Sequence, residues 1–393
     1  MNEKITSLIR TAKCRLRPQE SPDPRIWIFS STDNRHFNYN SRYLFLYVKD
    51  HCPDIRPRFV INDDAMRAKL NIFYGRDASD EAYFIETKSA AGIRQVLSAG
   101  VWFTSAGLPV YGTGLSKGRR IVNLWHGVPL KTIALADRSE HPLQRLYFQK
   151  IFSENYTDVA ATSPAVSRVM QRSLGVTEEK MRIWGQPRCD VLRAPFDRAV
   201  FLRRMYPDLG FQPAKVILYA PTFRSDGPVR LFPFDDFDSA ALETFLEREG
   251  ILLCVRMHPA EETAEPLPPT SHLRYLNEEK LEDICEGLAA FDLLITDYSS
   301  IYIDYLLLDR PMIFLPYDLE SYRASHGFSF PYEKVTPGEK PATMAAFFEA
   351  LTRRQSEDPY AARRRKIRRF FHASELPACE MIVQAVREEV FSV

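Results

Sequence analysis

No excess of one charge sign steers this chain towards nucleic acid: 52 Lys and Arg stand against 51 Asp and Glu in 393 residues. No CxxC pair occurs. Cys14, Cys52, Cys189, Cys254, Cys285 and Cys379 are scattered, which argues against a zinc site or a disulfide framework and fits a reducing, cytoplasmic setting. No stretch approaches the roughly 20 apolar residues of a membrane span. The first residues, MNEKITSLIRTAKCRLR, lack an uninterrupted apolar core, so no secretory signal is expected. Repeats and low-complexity tracts are also missing.

What remains is the composition of a globular protein, 45% hydrophobic and 26% charged, long enough for two domains. Short apolar runs alternate with helix-length segments, the pattern of β/α units and a parallel sheet. In the first half the runs are 25–30, 59–61, 82–85, 101–104, 120–125, 158–161 and a strand beginning at Arg182. A helix over 165–174 closes at Gly175. Prolines 195, 207 and 213 mark a junction. The expected domains are residues 1–205, 206–355 and a C-terminal segment, 356–393. Strands over 215–220, 251–256, 293–296 and 312–315 follow, and a helix over 344–352.

Polar groups gather where these strands end. Open α/β sheets bind ligands at the carboxyl ends of their strands. Trp125 closes one apolar run and His126-Gly127 follows it; the glycine allows close backbone approach and the imidazole exchanges a proton near neutral pH. A lone histidine is more often structural, and its position is what counts for it. Arg188 lies in a loop after another strand. Thr222 and Arg224 follow the strand over 215–220, and Arg256, Met257 and His258 close the next. The run 293–296 leads into Asp297-Tyr298-Ser299-Ser300, and a helix starts at Ile301 with Pro311 past its end. A helix entrance with two hydroxyls suits an anion. Ser299 alone could merely cap the helix; Asp297, Ser300 and Asp304 one turn on point to a phosphorylated ligand.

Both ends are basic. Ile5, Leu8, Ile9 and Ala12 form a weak apolar side among Lys4, Arg10, Lys13, Arg15 and Arg17. Near the other end, Tyr360, Ile367, Phe370 and Phe371 stripe a helix that contains the run RRRKIRR. Such faces are either solvated surface or attracted to anionic lipid.

Taken in order, NLWHGVPLKT (123–132), GQPRCDVL (185–192), ILYAPTFR (217–224), VRMHP (255–259), LLITDYSSIYIDYLL (293–307) and PYDLESYRASHGFSF (316–330) resemble the CDP-glycerol glycerophosphotransferases, the primases and polymerases of teichoic acid and related capsule synthesis. Asn40-Ser41-Arg42-Tyr43-Leu44 is similar to that family's Asn-Ser-Lys-Tyr-Leu. The segments span about two thirds of the chain. The resemblance implies a GT-B architecture, an α/β fold of two facing Rossmann-like domains with a C-terminal helix crossing back. It implies transfer of glycerol phosphate from CDP-glycerol to a hydroxyl of a lipid-linked or capsular glycan acceptor, with release of CMP. Its essential histidines match His126 and His258. Its donor-binding positions match Gly127, Val128, Pro129, Leu130, Arg188, Thr222, Arg224, Arg256, Met257, Ser299, Ser300 and Asp304. His326 stands where the family's pattern has Arg, which puts any role there in doubt. The length favours a primase or a single-domain capsule enzyme over a long-chain polymerase.

The chemistry expected is attack of the acceptor hydroxyl on the phosphorus that bears glycerol, with His126 as general base and the Ser299/Ser300 entrance, Arg256 and His258 neutralising the phosphates. No acidic cluster for paired magnesium is visible, so no tightly bound cofactor or metal is expected; a loosely held magnesium on the diphosphate is compatible. CDP-ribitol is the alternative donor. A GT-B sugar transferase or sugar-nucleotide epimerase is the neighbouring reading, with the Asp-Tyr-Ser-Ser entrance against it. A catalytically idle glycan-binding protein is a third, with two rim histidines against it. The expected setting is cytoplasmic, at the inner membrane face through the basic terminal helices.

Overall fold

The computed structural model describes residues 3–16, 21–137, 141–224, 227–258, 267–353 and 357–391. The Lys4 side chain, Arg17 and Pro259 lie outside them. The chain divides into two compact units: residues 1–128, 133–190 and 372–393 form the first, and 129–132 with 191–371 the second.

The first unit is built on a seven-stranded sheet. Its strands are β1 (Asp23–Ser30), β2 (Arg56–Val60), β3 (Phe84–Ile85), β4 (Ala99–Thr104), β5 (Arg120–Asn123), β6 (Asp158–Ala161) and β7 (Met181–Ile183). They pair in parallel in the order β3-β2-β1-β4-β5-β6-β7. The chain winds outward from β1 on one side and from β4 on the other, so the order reverses between β1 and β4. Strands of a parallel sheet are covered on both faces and read as continuous apolar runs. Trp27, Ile28 and Phe29 accordingly have no exposed surface, and Phe29 lies in register with Phe59 and Phe103. Phe37, Phe45 and Phe84 complete an aromatic core, with each buried ring contributing about 1.5–3 kcal/mol by leaving water.

The last helix, Ala378–Phe391, belongs to this first unit. Asp190 accepts hydrogen bonds from the Ala378 and Cys379 amides, both at 2.8 Å, and so caps the helix start. Ile382, Val383 and Val386 enter the aromatic core, and Arg387 pairs with Asp54 at 2.9 Å.

The second unit carries a five-stranded sheet. Its strands are β8 (Lys215–Ala220), β9 (Ile251–Val255), β10 (Leu273–Tyr275), β11 (Leu293–Thr296) and β12 (Met312–Phe314). All pair in parallel, in the order β10-β9-β8-β11-β12. The order reverses between β8 and β11, the point where a doubly wound sheet opens a crevice for ligand.

The expected strands are present, but the division of the chain differs from the expected domains. The units change at 190/191 and at 371/372, not at 205/206 and 355/356. The helix Arg198–Met205 joins the second unit because Phe201 packs where Gly287 leaves room: a Cβ on that glycine would meet the Phe201 ring at 2.8 Å. Arg198 also grips Asp292 at 2.5 and 3.0 Å. The helix Ala361–Phe371 stays there too. Its RRRKIRR run is not all solvated face: Arg364 is buried and pairs with Asp358 and, at 2.8 Å, with Asp309. Ile367 and Phe371 are buried and Phe370 stays exposed. No helix among the described residues is long and apolar enough to cross a membrane.

Candidate active site

In the first unit the chain leaves β5 through a strained turn. Trp125 has φ +52, a left-handed value that is uncommon for a bulky residue, and Gly127 has φ +149, where glycine is favoured. His126 lies between them. Strain of this kind persists only where the surroundings hold it. Here Asn40 does so from the helix Tyr39–His51: its Nδ2 donates to the carbonyls of Leu124 at 3.1 Å and Trp125 at 2.8 Å. The Asn40 Oδ1 accepts from the Arg188 amide at 3.1 Å, and the Arg188 guanidinium donates to the His126 carbonyl at 2.8 Å. Arg188 is buried and acts on the turn's backbone.

The imidazole of His126 is oriented separately. Its Nδ1 is 3.0 Å from the Ser105 carbonyl, just past β4. A carbonyl only accepts, so Nδ1 carries the proton and Nε2 is the basic nitrogen of the neutral ring. Ser105 is fixed in turn, as its hydroxyl accepts from the Ser41 amide and bonds the Ser41 hydroxyl, both at 2.8 Å. Tyr39 and Trp125 lie against the ring, with centroids at 5.2 and 4.4 Å. The His126 ring is half-buried, and with Nδ1 donating, its neutral form leaves Nε2 as the nitrogen that can accept a proton.

Val128, Pro129 and Leu130 are buried, so their side chains serve packing. Leu130 accepts a hydrogen bond from the Ser329 amide at 2.8 Å, and Ser329 Oγ donates to the Lys131 carbonyl at 3.0 Å, both within the second unit.

In the second unit, β9, β8 and β11 are adjacent, so the segments that follow them share one rim. Asp297 anchors it from beneath. One carboxylate oxygen accepts from the Thr222 amide, the Thr222 hydroxyl and the Tyr298 amide at 2.9, 2.6 and 2.6 Å. The other accepts from Arg224 at 2.8 Å. Arg224 also binds Asp318 in a fork, at 2.7 and 3.0 Å, and gives its remaining nitrogen to the Thr222 carbonyl at 2.6 Å. The rings of Tyr298, Tyr317 and Tyr322 surround its guanidinium, with centroids 4.9 to 5.2 Å away. Burial pushes the Asp297 carboxyl up, against the pull of the Arg224 charge. Burial would raise Asp318 as well, but its hydrogen bonds from Arg224 and Tyr298 outweigh this and hold it below the ordinary carboxylate value.

Thr222 and Arg224 thus clamp the ends of β8 and β11 at the point where strand order reverses, and Arg224 lies below the rim. Arg256 is used in a similar way: its guanidinium donates to the carbonyls of Leu276, Leu281 and Glu282 at 3.1, 2.8 and 3.3 Å. Met257 and Asp304 are buried. Ser299 and Ser300 are half-buried, and Ser299 Oγ accepts from the Ile301 amide at 3.3 Å. His258 is exposed, its ring 5.3 Å from that of Phe223. His326 ends a helix with its ring stacked 4.5 Å from that of Tyr322.

Ser299, Ser300 and His258 thus stand along this rim beside Thr222, Arg224 and Arg256, whose side chains hold its turns. Among the described residues, no three His, Cys, Asp or Glu side chains stand close enough to hold a metal ion. The residues that sequence reasoning missed are Asn40, Ser105 and Asp318. Asn40 and Asp318 carried a signal, in the Asn-Ser-Arg-Tyr-Leu and PYDLESYRASHGFSF segments, and Ser105 carried none.

Comparison with known proteins gives one family model, described as CDP-glycerol:poly(glycerophosphate) glycerophosphotransferase, over residues 14–388. The teichoic acid ribitol-phosphate polymerase TarL of Staphylococcus aureus is 27% identical over 62% of this chain. The match covers 43% of TarL, so this chain spans less than half the length of that relative. A teichoic acid poly(glycerol phosphate) polymerase of Bacillus spizizenii is 27% identical, over 83% of each chain. Among solved structures, the wall teichoic acid polymerase TagF superposes with a TM-score of 0.79 over 98% of this chain and 93% of its own, at 20% identity. That likeness establishes the GT-B type of α/β fold.

Proposed function

The chain belongs to the CDP-glycerol:poly(glycerophosphate) glycerophosphotransferase family, and from that premise we propose that it moves glycerol phosphate from CDP-glycerol to a hydroxyl of a teichoic-acid-type acceptor. The acceptor oxygen attacks the phosphorus that bears glycerol, and the bond from that phosphorus to the CMP oxygen breaks. The acceptor proton passes to Nε2 of His126, and the electron pair leaves with CMP. An alcohol is a poor nucleophile, and a base of this kind contributes about 10²- to 10⁴-fold. The second unit takes the donor: Ser299, Ser300 and His258 offer hydrogen bonds to the diphosphate, and Arg224 and Arg256 keep their turns in place.

One observation carries this reading. His126, with Nδ1 fixed as a donor, occupies a turn strained at Trp125 and tied down by Asn40, Arg188 and Ser105. A purely structural histidine has no need of such an arrangement. A second donor, CDP-ribitol, is favoured by the likeness to a ribitol-phosphate polymerase. The acceptor in this reading is lipid-linked or capsular, and the work is done at the inner face of the cell membrane. Arg363, Arg365, Lys366 and Arg369 stand exposed beside Phe370, a surface suited to anionic lipid.

The test is CMP release by the purified protein offered CDP-glycerol, CDP-ribitol, UDP-GlcNAc and GDP-mannose in parallel, with and without crude lipid-linked acceptor. Acceptor-dependent CMP from one CDP-alditol is the expected result and names the donor. Turnover of a UDP- or GDP-sugar would overturn the reading.

A further inference from the structure

A group of polar residues apart from the His126 turn lines a cavity of about 350 Å³ in the first unit. Asp33, Asn34 and Arg35 follow β1, Asn62 follows β2, and Thr87 and Lys88 follow β3. Those strands are neighbours, so the cavity opens on the carboxyl rim of the same sheet that presents His126 after β5. Thr6, Ser7 and Arg10 of the helix Glu3–Arg15 and the ring of Tyr111 complete the wall.

The wall is arranged rather than incidental. Asp33 and Asn34 take consecutive left-handed φ values, +50 and +55, without a glycine. Asn34 is buried; its Nδ2 donates to the carbonyls of Leu108 and Pro109 at 3.0 and 3.3 Å, while its Oδ1 has no hydrogen-bond partner. Strain and an unsatisfied buried acceptor together at one wall are costs that a fold retains at functional sites. Asn62 and Thr87 lock one another: the Thr87 amide donates to Asn62 Oδ1 at 2.7 Å, and Asn62 Nδ2 donates to Thr87 Oγ1 at 3.1 Å.

The chemistry of the lining is mixed in a specific way. Arg10, Arg35 and Lys88 bring three positive charges against the single carboxylate of Asp33. Arg10 is steadied by the Lys88 carbonyl at 2.8 Å, and the Lys88 ammonium pairs with Asp64 at 2.6 Å on the exposed side. An exposed pair of that kind is worth only about 0–1 kcal/mol, so a phosphate can replace Asp64 as its partner. Thr6, Ser7, Asn62 and Thr87 line the same cavity. A phosphodiester with neighbouring hydroxyls finds charge for its phosphate and, in Asp33, an acceptor for its hydroxyl.

We infer that this cavity binds a polyol-phosphate group: a phosphodiester with a free hydroxyl beside it. The inference rests on the function proposed above, and in that setting it assigns this cavity to an inner phosphate of the acceptor. β1 and β5 are two strand spacings apart, about 10 Å. A polyol-phosphate acceptor held in the cavity by an inner phosphate would reach along the rim with its terminal hydroxyl near His126. The same chemistry is carried by a soluble glycerol-phosphate oligomer and by the headgroup of phosphatidylglycerol.

The test uses the full chain and the double variant Arg35→Ala with Lys88→Ala, both surface changes. Binding is measured by calorimetry with a short glycerol-phosphate oligomer, and by co-sedimentation with vesicles of phosphatidylcholine with and without phosphatidylglycerol. Oligomer affinity is expected to fall about tenfold in the variant, as loss of charge-assisted hydrogen bonds implies, with CDP-glycerol affinity unmoved. A loss seen only with phosphatidylglycerol vesicles identifies the headgroup as the source and keeps the cavity's chemistry. Unchanged binding in both arms overturns the inference. If the oligomer result holds while the protein releases no CMP from CDP-glycerol, the proposed reaction fails and the cavity stands.

Discussion

The two units solve one problem, holding a turn at the end of a parallel strand, with different materials. After β5 the turn is held chiefly by neutral groups, Asn40 on two carbonyls, Ser105 on the His126 ring and Ser41 on Ser105, and by the Arg188 guanidinium on the His126 carbonyl. After β11 it is held by buried charge, with Asp297 and Arg224 joined at 2.8 Å and Asp318 forked onto the same guanidinium. Under the proposed function the difference follows the task. A base that must gain and lose a proton is best set among groups whose own charge does not change. A phosphate site needs donors fixed before the ligand arrives, and buried ion pairs fix geometry at the cost of desolvation.

Substitutions separate the two. Arg224→Ala should have the largest effect on stability. It leaves Asp297 buried without its counter-charge, and the second unit should lose about 3–5 kcal/mol by chemical denaturation. A loss below 1 kcal/mol would mean that the network does not hold the turn. Asn40→Ala removes the two carbonyl contacts and the acceptor of the Arg188 amide. Stability should fall by about 1–3 kcal/mol, and turnover by about 10- to 100-fold through misplacement of His126. The affinity for CDP-glycerol, measured by calorimetry, should stay near wild type.

The smallest effect is the pH dependence of the charged clamp. Asp318 is held below its ordinary value when folded. In acid the unfolded chain therefore binds more protons, so the contribution is present above the unfolded value and lost as pH falls through the folded one. Denaturation series at falling pH should show a shallower loss for Asp318→Asn than for wild type. Parallel curves would remove Asp318 from the account.

The contrast also marks what the sequence could reveal. The strand ends were legible because buried parallel strands are written as apolar runs, and the polar residues that close them stand out. β10 was not, since Leu273-Arg274-Tyr275 is too short and mixed to signal a strand. The partners of His126 were hidden for another reason: Asn40 and Arg188 lie far from it in sequence, and only the fold brings them together. Arg224 looked like a ligand-facing cation because burial is invisible in a string of letters. Arg364 was hidden the same way inside RRRKIRR.

The most direct measurement is made on His126→Ala, with acceptor-dependent CMP release from CDP-glycerol and calorimetric binding of CDP-glycerol determined on the same preparation. If the first unit supplies the base and the second holds the donor, turnover disappears while the donor's dissociation constant stays within about twofold of wild type. Near wild-type turnover, or loss of donor binding along with turnover, would contradict that division of labour.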